Sequence, residues 1–213
     1  VSTWSLSRLG TFEKCQAQYK YRYIDQIPTP KSTSAQRGID THKIVEDFLL
    51  GNVPSLPDEL SFYSQFLTSL KNAGVHAEIK LGVDRSWSPV SWDNEAVWGR
   101  AVLDALHING SVANVYDWKT GKPYPEHDDQ KELYAAFVFS NYPEVQRVNS
   151  FHTYLDSRKT IPKVFDRPDL TGIVERWTDR VRRMEEAQMF IPNPTFSCTY
   201  CPFSRAKGGP CRF

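Results

Sequence analysis

Apolar residues fall at helical spacing in five stretches and at strand spacing in five more. They follow one another as three helices, three strands, a helix, two strands and a last helix. The predicted helices span residues 4–27, 38–50, 59–71, 128–140 and 171–189. The predicted strands span residues 75–83, 96–108, 112–119, 145–155 and 161–165. In the first helix the apolar and aromatic positions are Leu6, Leu9, Phe12, Tyr19 and Tyr23, with Ser5 or Ser7 as cap. Pro28 and Pro30 end it, and residues 31–36 read as a polar loop. In the second helix Ile39, Val45 and Leu49 form the apolar stripe, with His42 among them and Gly51 as the stop. In the last helix Val174, Trp177, Val181 and Met184 form the stripe. Residues 54–58 read as a linker, and prolines at 123, 125, 192 and 194 mark two further breaks.

Asn109-Gly110 is a strong hairpin signal between two of the strands. Taken as a two-residue turn, it pairs Ile108 with Ser111, Asp104 with Val115 and Asp117 with Val102. Asp104 and Asp117 then become diagonal neighbours on one face, about 7–8 Å apart at the backbone. Carboxylates so placed can converge on one cation, with oxygen ligands at about 2.1 Å. Lys119 follows on the same face, since side chains alternate with period two. The acid-x-lysine form also occurs at Glu78/Lys80 and Asp129/Lys131, but only Asp117 gains a carboxylate partner from a tight turn. A lysine beside metal-binding carboxylates is suited to phosphodiester cleavage. Gln130 and Tyr134, four apart on the following helix, stack on one helical face; a solvated glutamine and a core tyrosine are the alternative reading. His42 has two readings, a histidine satisfied within the core or a metal ligand.

Composition and charge change this picture in two places. The 213 residues suit one domain, or one core with a small appendage, and no apolar run approaches the roughly 20 residues of a membrane span. The N-terminal residues lack an apolar signal core, which predicts a soluble cytoplasmic protein. The net charge of +1 is unevenly spread. Residues 1–37 hold six Lys/Arg against two Asp/Glu, and residues 171–213 hold seven against four, while residues 38–170 carry a net −6. Three segments follow: a helical start (1–37), a core (38–170) and a C-terminal helix with its tail (171–213). All four cysteines lie outside the core, at Cys15, Cys198, Cys201 and Cys211. A Cys-x2-Cys pair with a third cysteine in a Gly/Pro-containing tail has metal-ligand spacing, fitting an iron–sulfur cluster or tetrahedral zinc. Two disulfides are the alternative, in a chain without an export signal. A shared centre would clip the basic ends together into a candidate DNA-binding patch.

These motifs, in this order, resemble the RecB-like branch of the PD-(D/E)XK nuclease superfamily. Within it the likeness is to iron–sulfur nucleases such as CRISPR-associated exonucleases, AddB-type nuclease domains and small phage-encoded exonucleases. Residues 5–23 with Cys15 look like the family's opening helix. Gly38, His42 and Glu46 match the helix carrying a metal-binding histidine. Asp104 and Asp117-Trp118-Lys119 match the two core motifs, and Gln130 with Tyr134 matches the motif that follows. Cys198, Cys201 and Cys211 look like the closing trio. Ala101 stands where a glycine is frequent, Gln16 where a proline is common, and the Cys201–Cys211 gap is long.

The resemblance implies an α/β (α+β) fold with a restriction-endonuclease-like central mixed sheet flanked by helices. A C-terminal cysteine-cluster appendage would be joined to the N-terminal helix. It implies that His42, Asp104, Asp117 and the Trp118 carbonyl hold Mg2+ or Mn2+. Lys119 would position water or neutralise charge, Gln130 and Tyr134 would orient the strand and the lysine, and Glu78 matches a further carboxylate. The cysteines would hold a [4Fe-4S] cluster, with Zn2+ as the alternative. The implied substrate is single-stranded DNA or DNA ends, cut exonucleolytically in recombination, repair or phage DNA metabolism, in the cytoplasm (the host's, if viral). A helicase or recombinase would be the partner, since the chain has no Gly-x4-Gly-Lys-Ser/Thr sequence. A non-catalytic DNA-end-binding module and an RNA-processing nuclease are the alternative functions.

Overall fold

The structure, a computed structural model, describes residues 3–30, 32–124 and 126–213. Val1, Ser2, Lys31 (in the predicted loop) and Pro125 (in the predicted break) lie outside the described residues. The chain divides into two compact units, one built on Thr33–Glu175 and one on Trp4–Ser32 with Arg176–Phe213.

The first unit is built on a six-stranded sheet. Helix α3 (Thr33–Leu50), a 3-10 turn (Asp58–Tyr63) and α4 (Ser64–Asn72) lead into strands β1 (His76–Val83), β2 (Pro89–Val90), β3 (Gly99–Asn109) and β4 (Val112–Lys119). Helix α5 (Glu126–Asn141) and strands β5 (Arg147–Tyr154) and β6 (Lys159–Asp166) follow. The sheet order is β2-β1-β3-β4-β5-β6. All pairs are antiparallel except β4–β5. That parallel pair needs a long crossover, which α5 supplies.

Alternation along β3 and β4 sends their residues to two different environments. Ala105 and Trp118 pack with Leu155 against Val45, Phe48 and Leu49 of α3, Leu60 and Tyr63 of the 3-10 turn, and Leu67 and Leu70 of α4. Asp104 and Asp117 belong to the other face, which α5 covers. Every residue of α5 from Leu133 to Phe139 is buried, so this helix is enclosed all round rather than amphipathic. Each such large side chain contributes about 1.5–3 kcal/mol of burial, which fixes the helix over the sheet.

The hairpin register differs from the expectation. Asn109 pairs with Val112, Ile108 with Ala113 and Leu106 with Val115, so the two loop residues are Gly110 and Ser111. Only Gly110 has a positive φ, +58°, as in a type II′ turn with glycine first; Asn109 stays in the strand. Each β3 residue therefore meets a partner two positions further along β4 than predicted. A shift by an even number keeps every side chain on its face, and the same register carried one pair past Ala105–Tyr116 sets Asp104 opposite Asp117.

Helix limits also differ. Residues 33–36, read as loop, form the first turn of α3, and Ile39 is exposed rather than on the buried stripe. Residues 59–63 are 3-10 rather than α-helical, and the two-residue β2 had no signal in the pattern.

In the second unit the predicted helix over residues 4–27 is three segments: α1 (Leu6–Lys14), α2 (Gln16–Tyr19) and a π-turn (Lys20–Ile24). The first break is Cys15, with extended backbone (φ −163°, ψ 111°) that removes it from either helix. Helix α6 (Leu170–Glu185), which belongs to this unit from Arg176 on, stops short of the predicted residue 189. Trp177 of α6 stacks on Trp4 at 6.2 Å, and Arg180 lies 4.1 Å from the Trp177 ring centroid. Arg180 also donates two hydrogen bonds to Glu13, at 2.8 and 2.7 Å. In the tail, Cys211 donates its N–H to the Phe203 carbonyl at 2.9 Å, and Gly209 passes so close to the Phe203 backbone that a Cβ would not fit.

Candidate active site

Asp104 sits where the ladders on both sides of β3 are interrupted. Toward β4, its Oδ2 accepts the Trp118 N–H at 2.8 Å, so a side chain takes the place of a backbone acceptor. Toward β1, the ladder skips from Ala77–Ala105 to Ile79–Leu103, and the omitted residue, Glu78, has a φ of +53°. Left-handed backbone at a residue with a side chain is strained, and such strain concentrates at functional positions. Glu78, Asp104 and Asp117 thus occupy one row across β1, β3 and β4.

Helix α5 brings a polar pair to that row. Asp117 Oδ1 accepts from Gln130 Nε2 at 2.9 Å, and its Oδ2 lies 2.7 Å from Lys119 Nζ. Lys119 Nζ also donates to Gln130 Oε1 at 2.6 Å, and Gln130 Nε2 donates to the Tyr134 hydroxyl at 2.7 Å. Gln130 and Tyr134 are one helical turn apart, so one face of α5 serves both. Helix α3 contributes His42, whose Nδ1 lies 3.2 Å from Asp104 Oδ2.

The electrostatics are those of crowded acids in a dry place. Asp117 is 1% exposed, and burial followed by the Asp104 charge pushes its carboxyl up to about 7, against the pull of Lys119 and His42. Burial, then Glu46 and Asp104, raises Glu78. Burial alone would lower His42, but the Asp104 carboxylate outweighs it and the imidazole is raised. Burial and the Asp117 charge lift Tyr134 well above its ordinary 10, which keeps the hydroxyl protonated.

The structure therefore brings together His42, Glu78, Asp104, Asp117, Lys119, Gln130 and Tyr134. The Trp118 ring is buried on the opposite face, so only its backbone meets the site. The Asp129/Lys131 triplet does not form a unit: Lys131 is buried and pairs with Asp128 at 2.9 Å. The sequence reading missed His152, which is fully buried on β5 and paired with Asp117 in the parallel ladder. Burial and the nearby Lys119, Lys131 and His127 charges hold its imidazole down at about 2. Its only signal was a histidine at an alternate position with Val148 and Ser150, the buried face of the strand. His127 joins it at a ring distance of 5.9 Å and meets the Tyr154 hydroxyl through Nδ1 at 2.8 Å.

In the second unit the four cysteines are free thiols lining one cavity of about 20 Å³, with Tyr21 and Phe203 among its walls. Cys15 Sγ accepts the Asn193 N–H and Cys198 Sγ accepts the Thr195 N–H, both at 3.4 Å. Among the described residues no three His, Cys, Asp or Glu side chains converge closely enough to form a metal cage, at either place. The donors themselves fit the groups in question: carboxylates and an imidazole around a buried, raised acid suit a hard divalent cation, and clustered thiols suit a thiophilic centre.

A model of the PD-(D/E)XK nuclease superfamily matches residues 3–206. The chain belongs to this superfamily. It is a nuclease fold of the metal-dependent hydrolase type, acting on nucleic acid. Two solved structures share the fold. One, SSO0001, has a TM-score of 0.51 at 19% identity, over 100% of this chain and 88% of its own. The other, a protein from Eubacterium rectale to which exonuclease activity has been ascribed, has a TM-score of 0.53 at 10% identity, over 97% and 87%. No curated protein matches. Among the described residues no helix is long and apolar enough to cross a membrane.

Proposed function

We propose that this PD-(D/E)XK protein is a Mg2+- or Mn2+-dependent deoxyribonuclease, an exonuclease acting on single-stranded DNA or DNA ends. One observation carries the reading of the site: Asp117, raised to about 7 beside a second carboxylate, is tied to Lys119, Gln130 and Tyr134 by a continuous set of short contacts. A buried acid beside another acid is costly unless a cation compensates it.

His42, Asp104, Asp117 and the Trp118 carbonyl would hold the metal, and a divalent ion there supplies a water of lowered pKa and charge stabilisation at the phosphate. The protein's own groups do the remainder. Lys119 is held between Asp117 and Gln130, which fixes an ammonium at the carboxylate row, where negative charge builds up on a cleaved phosphodiester. Gln130 fixes the orientation of both Asp117 and Lys119, because its amide nitrogen and oxygen are each engaged. Tyr134 stays protonated and closes the set from α5.

The four cysteines hold a [4Fe-4S] cluster in this reading, with Zn2+ as the competitor. Support comes from their shared cavity, from the absence of disulfides among them, and from two backbone N–H groups directed at sulfur. Visible absorption of the purified protein separates the two: an iron–sulfur centre is coloured and zinc is not.

Cleavage of end-labelled single-stranded DNA, linear duplex, circular single-stranded DNA and RNA with Mn2+ tests the function. Loss of label from linear DNA ends, sparing the circle and the RNA and abolished by Asp117→Ala, is expected. Cleavage of the circle would replace exonuclease by endonuclease, preference for RNA would replace the substrate, and undiminished cutting by Asp117→Ala would remove the site.

A further inference from the structure

The carboxylate face of the sheet continues toward its β2 edge, where a second polar group stands apart from the site. In the β1–β3 register Lys80 pairs with Val102 and Gly82 with Arg100. Residues 100, 102 and 104 share a face, and directly opposed residues of an antiparallel pair share it too. Lys80 and Arg100 therefore rise from the face that carries Asp104, as diagonal neighbours about 7–8 Å apart at the backbone. Trp92 lies between them: Lys80 Nζ is 5.7 Å and the Arg100 guanidinium carbon 5.0 Å from its ring centroid.

The sequence builds this arrangement through Gly82. A Cβ there would lie 2.7 Å from the Val90 carbonyl oxygen, a distance that backbone cannot accommodate, and would also crowd a Val97 methyl at 3.2 Å. Glycine lets the segment after β2 close over the strand, which sets Trp92 two residues beyond Val90 and against the two cations.

What the group lacks is a direct ion pair: Glu78, two residues before Lys80, acts on it only through space. Among the described residues neither Lys80 nor Arg100 has an ion-pair partner, and Arg100 Nε is buried without a hydrogen-bond acceptor. A ring contact orients a cation without consuming its N–H donors or cancelling its charge. Two held cations with free donors and no ion-pair partner among the described residues, on a nuclease's carboxylate face, match an anionic strand. Arg100 lies four residues from Asp104, about 14 Å at roughly 3.4 Å per residue. That is about four nucleotides if the strand is stacked as in a duplex, where each strand advances ~3.4 Å per phosphate.

We propose that Lys80 and Arg100, set by Trp92, clamp backbone phosphates of the substrate strand a few nucleotides, about 14 Å, from the phosphate at the carboxylate row. This inference rests on the nuclease reading above. The occupant is phosphate rather than base, because the donors are multiple and charged and the ring is already engaged by them.

Binding of a labelled single-stranded oligonucleotide in EDTA, over a range of salt, tests it. Each lost phosphate contact lowers the slope of log K against log salt by about 0.7 for a single strand. Lys80→Gln, at an exposed position that poses no folding risk, is expected to lower the slope by about 0.7. Lys80→Gln/Arg100→Gln is expected to lower it by about 1.4, with the melting temperature retained. An unchanged slope in Lys80→Gln, with wild-type binding and cleavage intact, overturns the clamp and spares the nuclease reading. Failure of the wild-type protein to bind or cut any nucleic acid overturns both.

Discussion

Replacing Asp117 by asparagine removes a charge that its surroundings oppose. The amide side chain keeps the acceptor for Gln130 and approximates the aspartic acid in its protonated form. In the metal-free protein Asp117 titrates near 7, whereas in the unfolded chain it titrates near the ordinary 3.8. As pH rises through 3.8 the unfolded chain loses this proton and the folded one keeps it. Stability therefore falls with pH until the folded carboxyl ionises near 7. A span of about three pH units at about 1.4 kcal/mol each gives a cost of about 4 kcal/mol above pH 7. Asp117→Asn should then match wild type at pH 4 and exceed it by about 4 kcal/mol at pH 8. In melting temperature that is about 8–16 °C for a chain of this size. The assay is thermal and urea unfolding of both proteins in EDTA, at pH 4 to 8. His152 pulls the other way, since a histidine held near 2 costs stability as pH falls below 6.5. The difference between the two proteins cancels that contribution. Adding Mg2+ at a hundred times its Kd should stabilise wild type by about 2.7 kcal/mol and narrow the gap. A gap that stays constant from pH 4 to 8 would refute the buried-acid argument.

Lys119→Met should reduce cleavage about 100- to 1000-fold while binding in EDTA changes little, read from single-turnover rates beside an equilibrium titration. Cys201→Ser should lower the melting temperature and the soluble yield more than the single-turnover rate; a fully stable, fully active variant would remove the structural role of the cysteines. Arg37→Ala deprives Asp156 of a two-bond partner, at 3.0 and 2.6 Å, while leaving its contact with the Gly121 N–H just beyond Lys119. Because the pair is exposed, the cost should be only about 0.2–1 kcal/mol. Arg37 holds Asp156 below its ordinary 3.8, so that cost should be present at neutral pH and vanish as acid protonates Asp156, which paired urea titrations at pH 7 and pH 2 will show.

Much of the site was legible because it depends on parity. The face shared by Asp104, Asp117 and Lys119 follows from alternation together with a two-residue turn, and β4 ends where its pattern ends. The register did not follow, because Asn109 and Gly110 can each take the left-handed turn position and the dipeptide does not say which will. Gly110 took it, and Asp104 came directly opposite Asp117 instead of diagonal to it. The break at Cys15 was hidden because the helical spacing of Leu9, Phe12 and Tyr19 survives an extended residue between two short helices. His152 was hidden for another reason. It falls on the buried alternate face of β5 with Val148 and Ser150, where a histidine reads equally as a site residue or as a satisfied core residue. The strained backbone of Glu78 has no sequence signal at all, since it reflects the interrupted ladder rather than the preference of glutamate.

The placement of Asp104, Asp117, Lys119, Gln130 and Tyr134 within one hairpin and its crossover helix bears on how the site assembles. Residues 104–134 bring these five groups together across short loops, whose closure entropy is small. A hairpin forms in about 1–10 µs, and a local crossover adds little contact order. His42 must be recruited across more than sixty residues of intervening chain. Most of the constellation is thus coded as one portable segment, while the histidine records the docking of α3. In pulsed hydrogen exchange the Trp118 amide, held by Asp104, should gain protection no later than the amides of α3.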